Sequence, residues 1–440
     1  MKQMKQLSRC RQLSSGAHIA PGSISPRAAI LYTAVLLATT LATGASAEAG
    51  DWPQWRGPNR NGVAEAGQGV PAEWSDSANI VWKTDVPGRG HASPTIVGNL
   101  IVLATADEQA QVQGVVAFDR TGIQKWITPV NKGGLPELHA KNTHASSTLA
   151  SDGRLFFVVF HHHDKLEAAA LDPQGTIVWR RDVGPFRPQV YKFGYAASPT
   201  IHQQTLIVTG NCDTSSWMKA LDTETGKIMW EQEMPRGLLW SSPIVASVAG
   251  RSQLLLSGFE KMSAFDPDSG GPLWSTPCLT QATCGTAVWE GDIVFASGGF
   301  PKSETVAVRA DGTGTVLWKN EVKCYEQSML VTDGHLYAFS DTGIAYCWDA
   351  ATGTERWKSR LKGPVSASPI LVGDLIFASN ESGTTFVFRA DPGSYQQVAR
   401  NQLGDESFAT PSVADNRMYL RVASSAGGRR QESLVCIGEK

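Results

Sequence analysis

A tryptophan recurs along this sequence at intervals of 39 to 53 residues, and that spacing constrains the fold more than any other feature. Most copies follow an aspartate and a glycine that predict a tight turn, and Lys219–Glu231 is the clearest example. There, the Asp222 carboxylate can accept hydrogen bonds from the turn amides, and Gly226 supplies the positive φ needed near the end of a short hairpin. The recurring tryptophans, called the blade tryptophans below, are Trp82, Trp126, Trp179, Trp230, Trp274, Trp318 and Trp357.

A second repeated pattern is Ser-Pro, or a degenerate copy of it, directly before an apolar strand. Proline has no amide to donate and suits the start of a strand. A repeat of about 40 to 50 residues with four strands per unit is typical of a β-propeller. No long helical pattern accompanies it. The predicted inner strands begin near residues 93, 147, 198, 242, 286, 328, 368 and 410.

These eight inner strands predict an all-β fold, an eight-bladed β-propeller of four-stranded antiparallel blades over residues 80–440. Seven blades is the alternative count. The repeat region begins with an outer strand, Ile80–Val86, and ends after a third strand, Ser433–Ile437. We therefore expect Ile80–Val86 to pair with Leu434–Ile437 and close the ring. Residues 48–79, rich in Gly, Pro and Trp, are expected to form an extended lead-in without a core of its own.

Residues 1–47 have the pattern of a secretory signal peptide. Basic residues precede an apolar run, Ala28–Leu41, and the small residues Ala45–Ala47 follow it. We expect cleavage after Ala47 and a secreted, periplasmic or cell-surface protein. The alternative is an uncleaved anchor, although the run is shorter than the roughly 18 to 20 residues that span a bilayer. The translation start is open, and Met4 is one candidate.

Charge and cysteine content exclude some partners and sites. Removing the leader takes away five positive charges and no negative charge, so the formal net charge falls from −2 to −7. A mildly acidic chain without basic clusters argues against nucleic acid as the partner. The sequence contains no Cys-x-x-Cys spacing that would indicate a zinc or redox site. Cys278 and Cys284 are the predicted disulfide, whereas Cys347 and Cys436 are expected to be buried free thiols.

The repeat, with its Ser-Pro, Ala-Leu-Asp, Thr-Gly and Trp elements, resembles that of the pyrroloquinoline quinone (PQQ)-like β-propeller family. The motif stands here as Ala220-Leu221-Asp222, Thr225-Gly226 and Trp230, and the resemblance covers nearly all of residues 80–437. The family includes quinoprotein dehydrogenases, which bind PQQ and calcium on the axis, and non-catalytic scaffolds such as BamB of the outer-membrane assembly machinery. The opening Asp51–Asn59 is also similar to the lead-in of secreted PQQ-like repeat proteins of planctomycete-type bacteria.

The family's dehydrogenases would be expected to carry adjacent cysteines, and this sequence has none. It also shows no Asp/Asn/Glu cluster whose spacing indicates a calcium site. No cofactor and no metal are therefore expected, with PQQ and calcium required only by the dehydrogenase alternative. His161-His162-His163 could suggest a metal site, but we interpret it as part of a solvated hairpin. No Gly-x-Ser-x-Gly turn supports a serine nucleophile, and no catalytic residue is predicted.

Loop lengths predict which face of the propeller binds. The hairpins between the first and second strands and between the third and fourth lie on one face, here called the turn face. The second-to-third hairpins and the links between blades lie on the other, the link face. Function concentrates on variable loops held by a rigid scaffold. Most length variation falls on the link face, in the links 127–146, 182–197, 233–241, 275–285, 319–327 and 400–409 and the hairpins 104–113 and 161–166.

Residues just before the inner strands should ring the channel mouth on the link face. Aromatic walls with a few polar groups are typical of a pocket; the alternative is that several of these side chains merely fill the axis. The predicted binding residues are His91, Asn142, His144, Tyr195, Trp240, Tyr325, Glu326 and Phe408, and Cys284 and Ser366 complete the ring.

These patterns favour a non-catalytic, monomeric envelope scaffold that binds a secreted or envelope protein. Exposed outer strands could also accept a strand from that partner. A PQQ-dependent alcohol or sugar dehydrogenase is the first alternative function. A carbohydrate-binding module that uses Trp240 and Tyr195 is the second.

Overall fold

The computed structural model describes residues 50–75, 77–426 and 428–439. In that part of the chain, 32 strands form eight four-stranded antiparallel sheets arranged as the blades of a propeller. The predicted fold class is confirmed, and the seven-bladed alternative is wrong. The predicted signal peptide, residues 1–47, and Cys10 within it lie outside the described residues. No helix in the described ranges is long and apolar enough to cross a membrane.

Seven blades take four consecutive strands from the chain, ordered from the axis outward. Blades 1 to 4 are formed by β2 (Thr95–Val97), β3 (Leu100–Asp107), β4 (Val112–Asp119) and β5 (Gln124–Lys132); β6 (Ala150–Ser151), β7 (Phe156–His162), β8 (Lys165–Leu171) and β9 (Ile177–Pro185); β10 (Thr200–His202), β11 (Thr205–Asn211), β12 (Ser216–Asp222) and β13 (Ile228–Glu233); and β14 (Ile244–Val248), β15 (Arg251–Gly258), β16 (Lys261–Phe265) and β17 (Pro272–Pro277).

Blades 5 to 7 follow the same order. They are formed by β18 (Val288–Glu290), β19 (Ile293–Gly298), β20 (Glu304–Arg309) and β21 (Val316–Asn320); β22 (Leu330–Thr332), β23 (His335–Phe339), β24 (Ile344–Asp349) and β25 (Glu355–Arg360); and β26 (Ile370–Val372), β27 (Leu375–Ser379), β28 (Thr384–Arg389) and β29 (Gln397–Gln402).

Blade 8 joins the two ends of the described chain. Its three inner strands are β30 (Ser412–Ala414), β31 (Arg417–Ala426) and β32 (Arg429–Ile437), and its outer strand is β1 (Ile80–Val86). β1 runs antiparallel to β32, with Ile80 opposite Ile437 and Thr84 opposite Leu434. The predicted closure is confirmed. It matters physically because a closed ring leaves no blade without a neighbour to cover its apolar faces.

The hydroxyl of the Ser-Pro pattern connects neighbouring blades near the axis. Each inner strand begins two residues after this serine or threonine, so that β10, for example, follows Ser198. The Ser198 hydroxyl accepts a hydrogen bond from Thr148 N at 3.0 Å, and Ser198 N donates to the Ser242 hydroxyl at 2.9 Å. Equivalent bonds join blade 1 to blade 2 and connect blades 5, 6, 7 and 8 in sequence. The motif therefore satisfies buried amides across blade boundaries.

The blade tryptophans pack at the outer edge against the turn of the next blade. The indole Nε1 of Trp179 donates to Thr223 O at 2.8 Å, and four others make the same bond to their next turn. Gly226, at φ +68°, lies so close to Trp179 that a Cβ there would be 2.7 Å from the ring. Trp274 differs and bonds Gln253 in its own blade. The repeated glycine is thus required both by the turn and by the tryptophan behind it.

The lead-in enters the central channel from the turn face, and its first part, residues 51–64, is called the plug below. Its hydrogen bonds reach the inner-strand segments of blades 1, 2, 3, 5, 6 and 7. Arg56 is 1% exposed and donates to Pro369 O and Met329 O, and no carboxylate of the described residues forms an ion pair with it. Burial lowers its pKa to about 9. Trp52 and Trp55 attach the plug inside the channel, through hydrogen bonds to Ile96 and Thr286.

Beyond the plug, the lead-in crosses blade 7 to reach β1. Trp74 stacks on Phe377 with the ring centroids 6.2 Å apart, and its amide donates to Asn401. Trp74 also belongs to the largest apolar cluster, which joins blades 7, 8 and 1. The segment before the closing strand is therefore part of the core at the junction where the ring closes.

Candidate functional site

A cavity opens at the axis on the link face. Six of the predicted binding residues line it together, namely His91, Asn142, Trp240, Tyr325, Glu326 and Phe408, and so do Cys284 and Ser366. Residues that carry the hydroxyl of the Ser-Pro pattern form part of the wall, namely Thr148, Ser198, Ser242, Thr286 and Thr410, and the plug closes the inner end with Trp55. The channel is therefore a blind pocket that opens towards the variable links.

Aromatic side chains form most of the apolar wall. Phe193 and Trp240 meet edge to face, with centroids 5.7 Å apart. Trp55 is held by a hydrogen bond of 2.9 Å from its Nε1 to the Thr286 hydroxyl, and Trp240 by one of 3.1 Å to Gly194 O. Because both indole N–H groups are satisfied within the protein, their rings remain available for contact with a ligand.

His91 is a neutral member of this wall. Its ring stacks on Phe408 with the centroids 4.4 Å apart. Burial lowers the pKa of His91 well below its usual value, and the positive charges of Arg89, Arg421, Arg430 and Lys141 lower it further. Its Nε2 is buried and has no hydrogen-bond partner among the described residues. His91 therefore contributes an uncharged, stacked ring to the cavity wall.

Lys141 crosses the mouth from the link between blades 1 and 2. Its Nζ lies 3.1 Å from Glu326 Oε1 and 2.8 Å from Glu381 Oε1. Burial opposes the charge of Lys141, but hydrogen bonds to Glu381 and Glu326 outweigh it and raise the pKa. Ser366 donates to Glu381 as well, at 2.6 Å. The rim thus contains a cation bound by carboxylates from two distant parts of the chain.

A second cation lies on the same side of the mouth. Lys323 Nζ is 5.1 Å from the centroid of the Tyr325 ring and 3.3 Å from Asp341 Oδ2. Burial raises the pKa of Tyr325, so its phenol stays protonated and can donate a hydrogen bond. Burial likewise raises the pKa of the Cys284 thiol, which is therefore no nucleophile at neutral pH.

Two predicted binding residues, His144 and Tyr195, do not line the axial cavity. They lie in a smaller neighbouring chamber between blades 1, 2 and 3, which shares only Ser146 with the cavity. His144 Nε2 is hydrogen-bonded to Pro136 O at 2.8 Å, and the Tyr195 ring packs edge to face on Phe186. His144 and Tyr195 stand four and three residues before Thr148 and Ser198, the hydroxyl residues of their blades, whereas the cavity-lining residues of the other blades stand two residues before theirs. The equivalent residues of blades 2 and 3 are Ser146 and Ala196, and both line the axial cavity.

The predicted disulfide between Cys278 and Cys284 is wrong. Both are free thiols, as are the four other cysteines in the described ranges. Cys278 follows the outer strand β17, where its Sγ donates to Thr276 O, whereas Cys284 lines the axial cavity. The link runs across the width of a blade, about 14 Å for three strand spacings. Cys347 and Cys436 are buried free thiols, as expected.

The three consecutive histidines have structural environments. His161 and His162 end β7 and are buried, and His163 lies in the turn. His161 packs edge to face on Phe186, and burial lowers its pKa to about 4. His162 Nε2 bonds Gly133 O at 2.7 Å. Only part of the triplet is the solvated hairpin that the sequence suggests.

Sequence reasoning missed Trp55, Phe193 and Lys141 as residues of the cavity. Trp55 was assigned to the lead-in, and the other two lie in long links whose paths no repeat predicts. The tryptophan-rich composition of the lead-in could have indicated that Trp55 is buried in the propeller. A segment without its own core must bury its aromatic rings in the adjoining domain.

Similarity to known proteins agrees with this architecture. The family model described as "Outer membrane protein assembly factor BamB" matches residues 62–211, 214–300 and 301–421. The chain belongs to this family. BamB of Burkholderia pseudomallei (strain K96243) is 24% identical over 357 residues, which cover 77% of this chain and 84% of that protein. BamB of Legionella pneumophila (strain Paris) is 23% identical over 226 residues, 51% of this chain and 48% of that protein, so the match spans about half of its length.

The same propeller occurs in an enzyme. A solved structure of a "Europium-containing methanol dehydrogenase" superposes with a TM-score of 0.65 at 12% identity, covering 88% of this chain and 98% of that one. Identity this low shows a shared fold and leaves the chemistry to the residues of the site.

The residues at the mouth do not fit PQQ with a metal ion. Such a site needs several oxygen ligands around one cation. In the described ranges, no group of three or more His, Cys, Asp or Glu side chains is placed to hold a metal ion. Glu326 and Glu381 are near each other, but both already bind Lys141. Function without a cofactor therefore remains our prediction.

Proposed function

We propose that this protein is a non-catalytic scaffold of the cell envelope that binds another envelope protein through its link face. The observation that carries the proposal is a blind, aromatic-walled cavity on that face in a chain of the BamB family. The names of its relatives, outer membrane assembly factors, support a role in envelope protein assembly. The predicted secretory leader is consistent with this location.

The surroundings of the mouth support protein binding more than small-molecule catalysis. Exposed apolar side chains extend from the cavity along the link between blades 2 and 3, where Val190 is 69% and Phe193 37% exposed. Tyr191 continues this surface, with its ring 6.3 Å from Phe193 and from Phe300. Aromatic residues beside a pocket are typical of protein interfaces.

The proposal can be tested by purifying the tagged full chain from the envelope fraction of its native host after mild cross-linking. We expect one envelope protein in near-stoichiometric amount, identified by mass spectrometry and recovered reciprocally when that protein is tagged. Recovery of the chain alone from both envelope and soluble fractions would contradict a scaffold function.

The dehydrogenase alternative needs a separate assay. Purified protein is supplied with PQQ and calcium, and reduction of an artificial electron acceptor by alcohols and sugars is followed. We expect no reduction above that of protein-free controls and no quinone absorbance after desalting. Turnover would replace the scaffold proposal with an enzymatic one.

A further inference from the structure

The rim of the axial cavity already works as a binding site for an ammonium group. Lys141 Nζ makes contacts of 2.8 and 3.1 Å with two carboxylates that lie far from it in sequence. Glu326 comes from the link between blades 5 and 6, and Glu381 from the second-to-third hairpin of blade 7. The propeller framework therefore brings these carboxylates together without help from the link that carries the lysine.

Carboxylates outnumber cations on this side of the mouth. Glu326, Glu381 and Asp341 face Lys141 and Lys323, which leaves one negative charge in excess. His91, on the opposite wall, adds no positive charge because its pKa is lowered. The cations near it, Arg89, Arg421 and Arg430, are balanced by their ion-pair partners Glu108, Glu432 and Glu406. The rim thus attracts a further cation at neutral pH.

The walls below the rim suit the same class of ligand. Ring faces attract cations within about 6 Å, and the contact between Lys323 and Tyr325 shows that geometry at this mouth. The methylene stem of a long basic side chain can pack on Trp240 and Phe193, while its charged end stays at the rim.

The exposure of Lys141 favours displacement of its ammonium group from the two carboxylates by another cation. Its side chain is 41% exposed, whereas the carboxylate side chains of Glu326 and Glu381 are 32% and 18% exposed. A half-exposed ion pair contributes at most about 1 kcal/mol. A partner's basic group that also buries its stem against the aromatic wall gains apolar burial in addition to the ion pair.

We infer that the axial cavity binds a lysine or arginine side chain from an extended segment of the partner, and that Lys141 occupies the acidic rim until this side chain displaces it. The inference rests on the proposed function, because it names the chemistry that the link face recognises. The segment enters the mouth side chain first, so its neighbouring residues lie on the exposed apolar surface beside Phe193.

The test uses four acetylated and amidated pentapeptides, Gly-Ser-Xaa-Ser-Gly, in which Xaa is lysine, arginine, glutamine or norleucine. Binding to the full chain is followed by tryptophan fluorescence and checked by calorimetry. We expect the lysine and arginine peptides to bind at least about fivefold more tightly than the glutamine and norleucine peptides.

Variants at the rim separate displacement from general attraction. Lys141→Gln removes the tethered competitor, so the affinity for the lysine peptide should rise about fivefold to tenfold, with no change for the glutamine peptide. The double variant Glu326→Gln with Glu381→Gln should weaken binding of the lysine peptide about tenfold. Lys358→Gln is the matched control, because Lys358 pairs with Glu355 on the outer strand β25, away from the axial cavity. It should change neither affinity.

Equal or tighter binding of the norleucine peptide would overturn the inference, as would a Lys141→Gln variant with unchanged affinity for the lysine peptide. An envelope partner that is captured although no basic peptide binds would reject this inference and leave the proposed function intact. Selective binding of basic peptides without any envelope partner would support the inference and reject the proposed function.

Discussion

On the turn face the hairpins repeat around the ring with nearly the same hydrogen bonds, whereas on the link face the connections differ from one blade to the next. In seven turn-face hairpins an aspartate carboxylate accepts a bond from an amide two or three residues later. These aspartates are Asp119, Asp172, Asp222, Asp266, Asp311, Asp349 and Asp391. The link face contains the axial cavity, the ion pairs of Lys141 and the exposed apolar surface near Phe193.

The difference separates two tasks. The turn face aligns each blade with the next through a short motif, so its residues are determined by packing. The links only have to connect an outer strand to the next inner strand, and their lengths are free to vary. Four predictions test this division, from the largest expected effect to the smallest.

The largest effect should come from a link-face contact that is structural. Arg421 and Glu432 form an ion pair at 2% exposure each, and Arg421 also donates to Ala104 O of blade 1. Arg421→Met should lower the free energy of unfolding by about 3 to 5 kcal/mol, because it leaves a buried carboxylate with fewer partners. Chemical denaturation measures this change in the free energy of unfolding. Arg154→Met, at an exposed pair with Glu224, is the control and should change stability by less than about 1 kcal/mol.

The second effect concerns the turn-face glycine. Gly226→Ala places a methyl group against Trp179 at a positive φ, whereas Gly98→Ala has a positive φ with no atom within 4 Å. Both substitutions carry the backbone cost of about 1 to 2 kcal/mol. Gly226→Ala should cost about 1 to 3 kcal/mol more because of overpacking. Equal losses in thermal and chemical denaturation would show that the tryptophan contact is unimportant.

The third effect is a pH dependence that originates beside the link face. The pKa of His161 is about 4 in the folded protein, below the ordinary value of 6.5. Between these pH values the unfolded chain binds more protons than the folded protein. The contribution of neutral His161 to the unfolding free energy is therefore complete above pH 6.5 and is lost as the pH falls towards 4. The loss from this residue is at most about 3 kcal/mol.

His161→Phe should reduce the slope of the unfolding free energy against pH between pH 6.5 and pH 4. Phenylalanine keeps a ring against Phe186 and does not titrate. Urea unfolding from pH 7 to pH 4 measures this slope. A slope equal to that of the unmodified protein would assign the acid sensitivity to other groups, such as His91.

The fourth effect concerns two exposed apolar residues, one on each face. Substituting either should change stability least, and only one of them should affect binding of the partner. Val190 on the link face and Ile123 on the turn face are 69% and 61% exposed. Substitution of either by aspartate should change the unfolding free energy by less than about 0.5 kcal/mol. Only Val190→Asp should reduce recovery of the envelope partner, several-fold. An equal reduction by Ile123→Asp would abolish the functional distinction between the faces.

The repeat made the framework predictable. The spacing of Trp82 to Trp357 and the positions of the Ser-Pro pattern indicated eight blades, the closing strand and the face that carries the variable links. These features depend on contacts between neighbouring strands and neighbouring blades, which recur with the motif. Four of the six predicted binding residues that meet at the cavity share one repeat position, two residues before the hydroxyl of the Ser-Pro pattern, namely His91, Trp240, Glu326 and Phe408. In blades 2 and 3 that position belongs to Ser146 and Ala196 and not to His144 and Tyr195.

What could not be predicted depends on contacts that occur once. Arg56 bonds carbonyl groups 273 and 313 residues away, and Lys141 reaches Glu326 and Glu381 across the mouth. None of these contacts is repeated in the sequence, so no period indicates them.

The central claim, that the link face binds the partner and the turn face does not, is tested most directly by site-specific photo-cross-linking in the native host. A photoreactive residue is placed at Val190 on the link face or at Gln174, an exposed position in a turn-face hairpin of the same region. We predict a single cross-linked envelope protein from position 190 and none from position 174. Cross-linking of the same protein from position 174 alone would contradict the account.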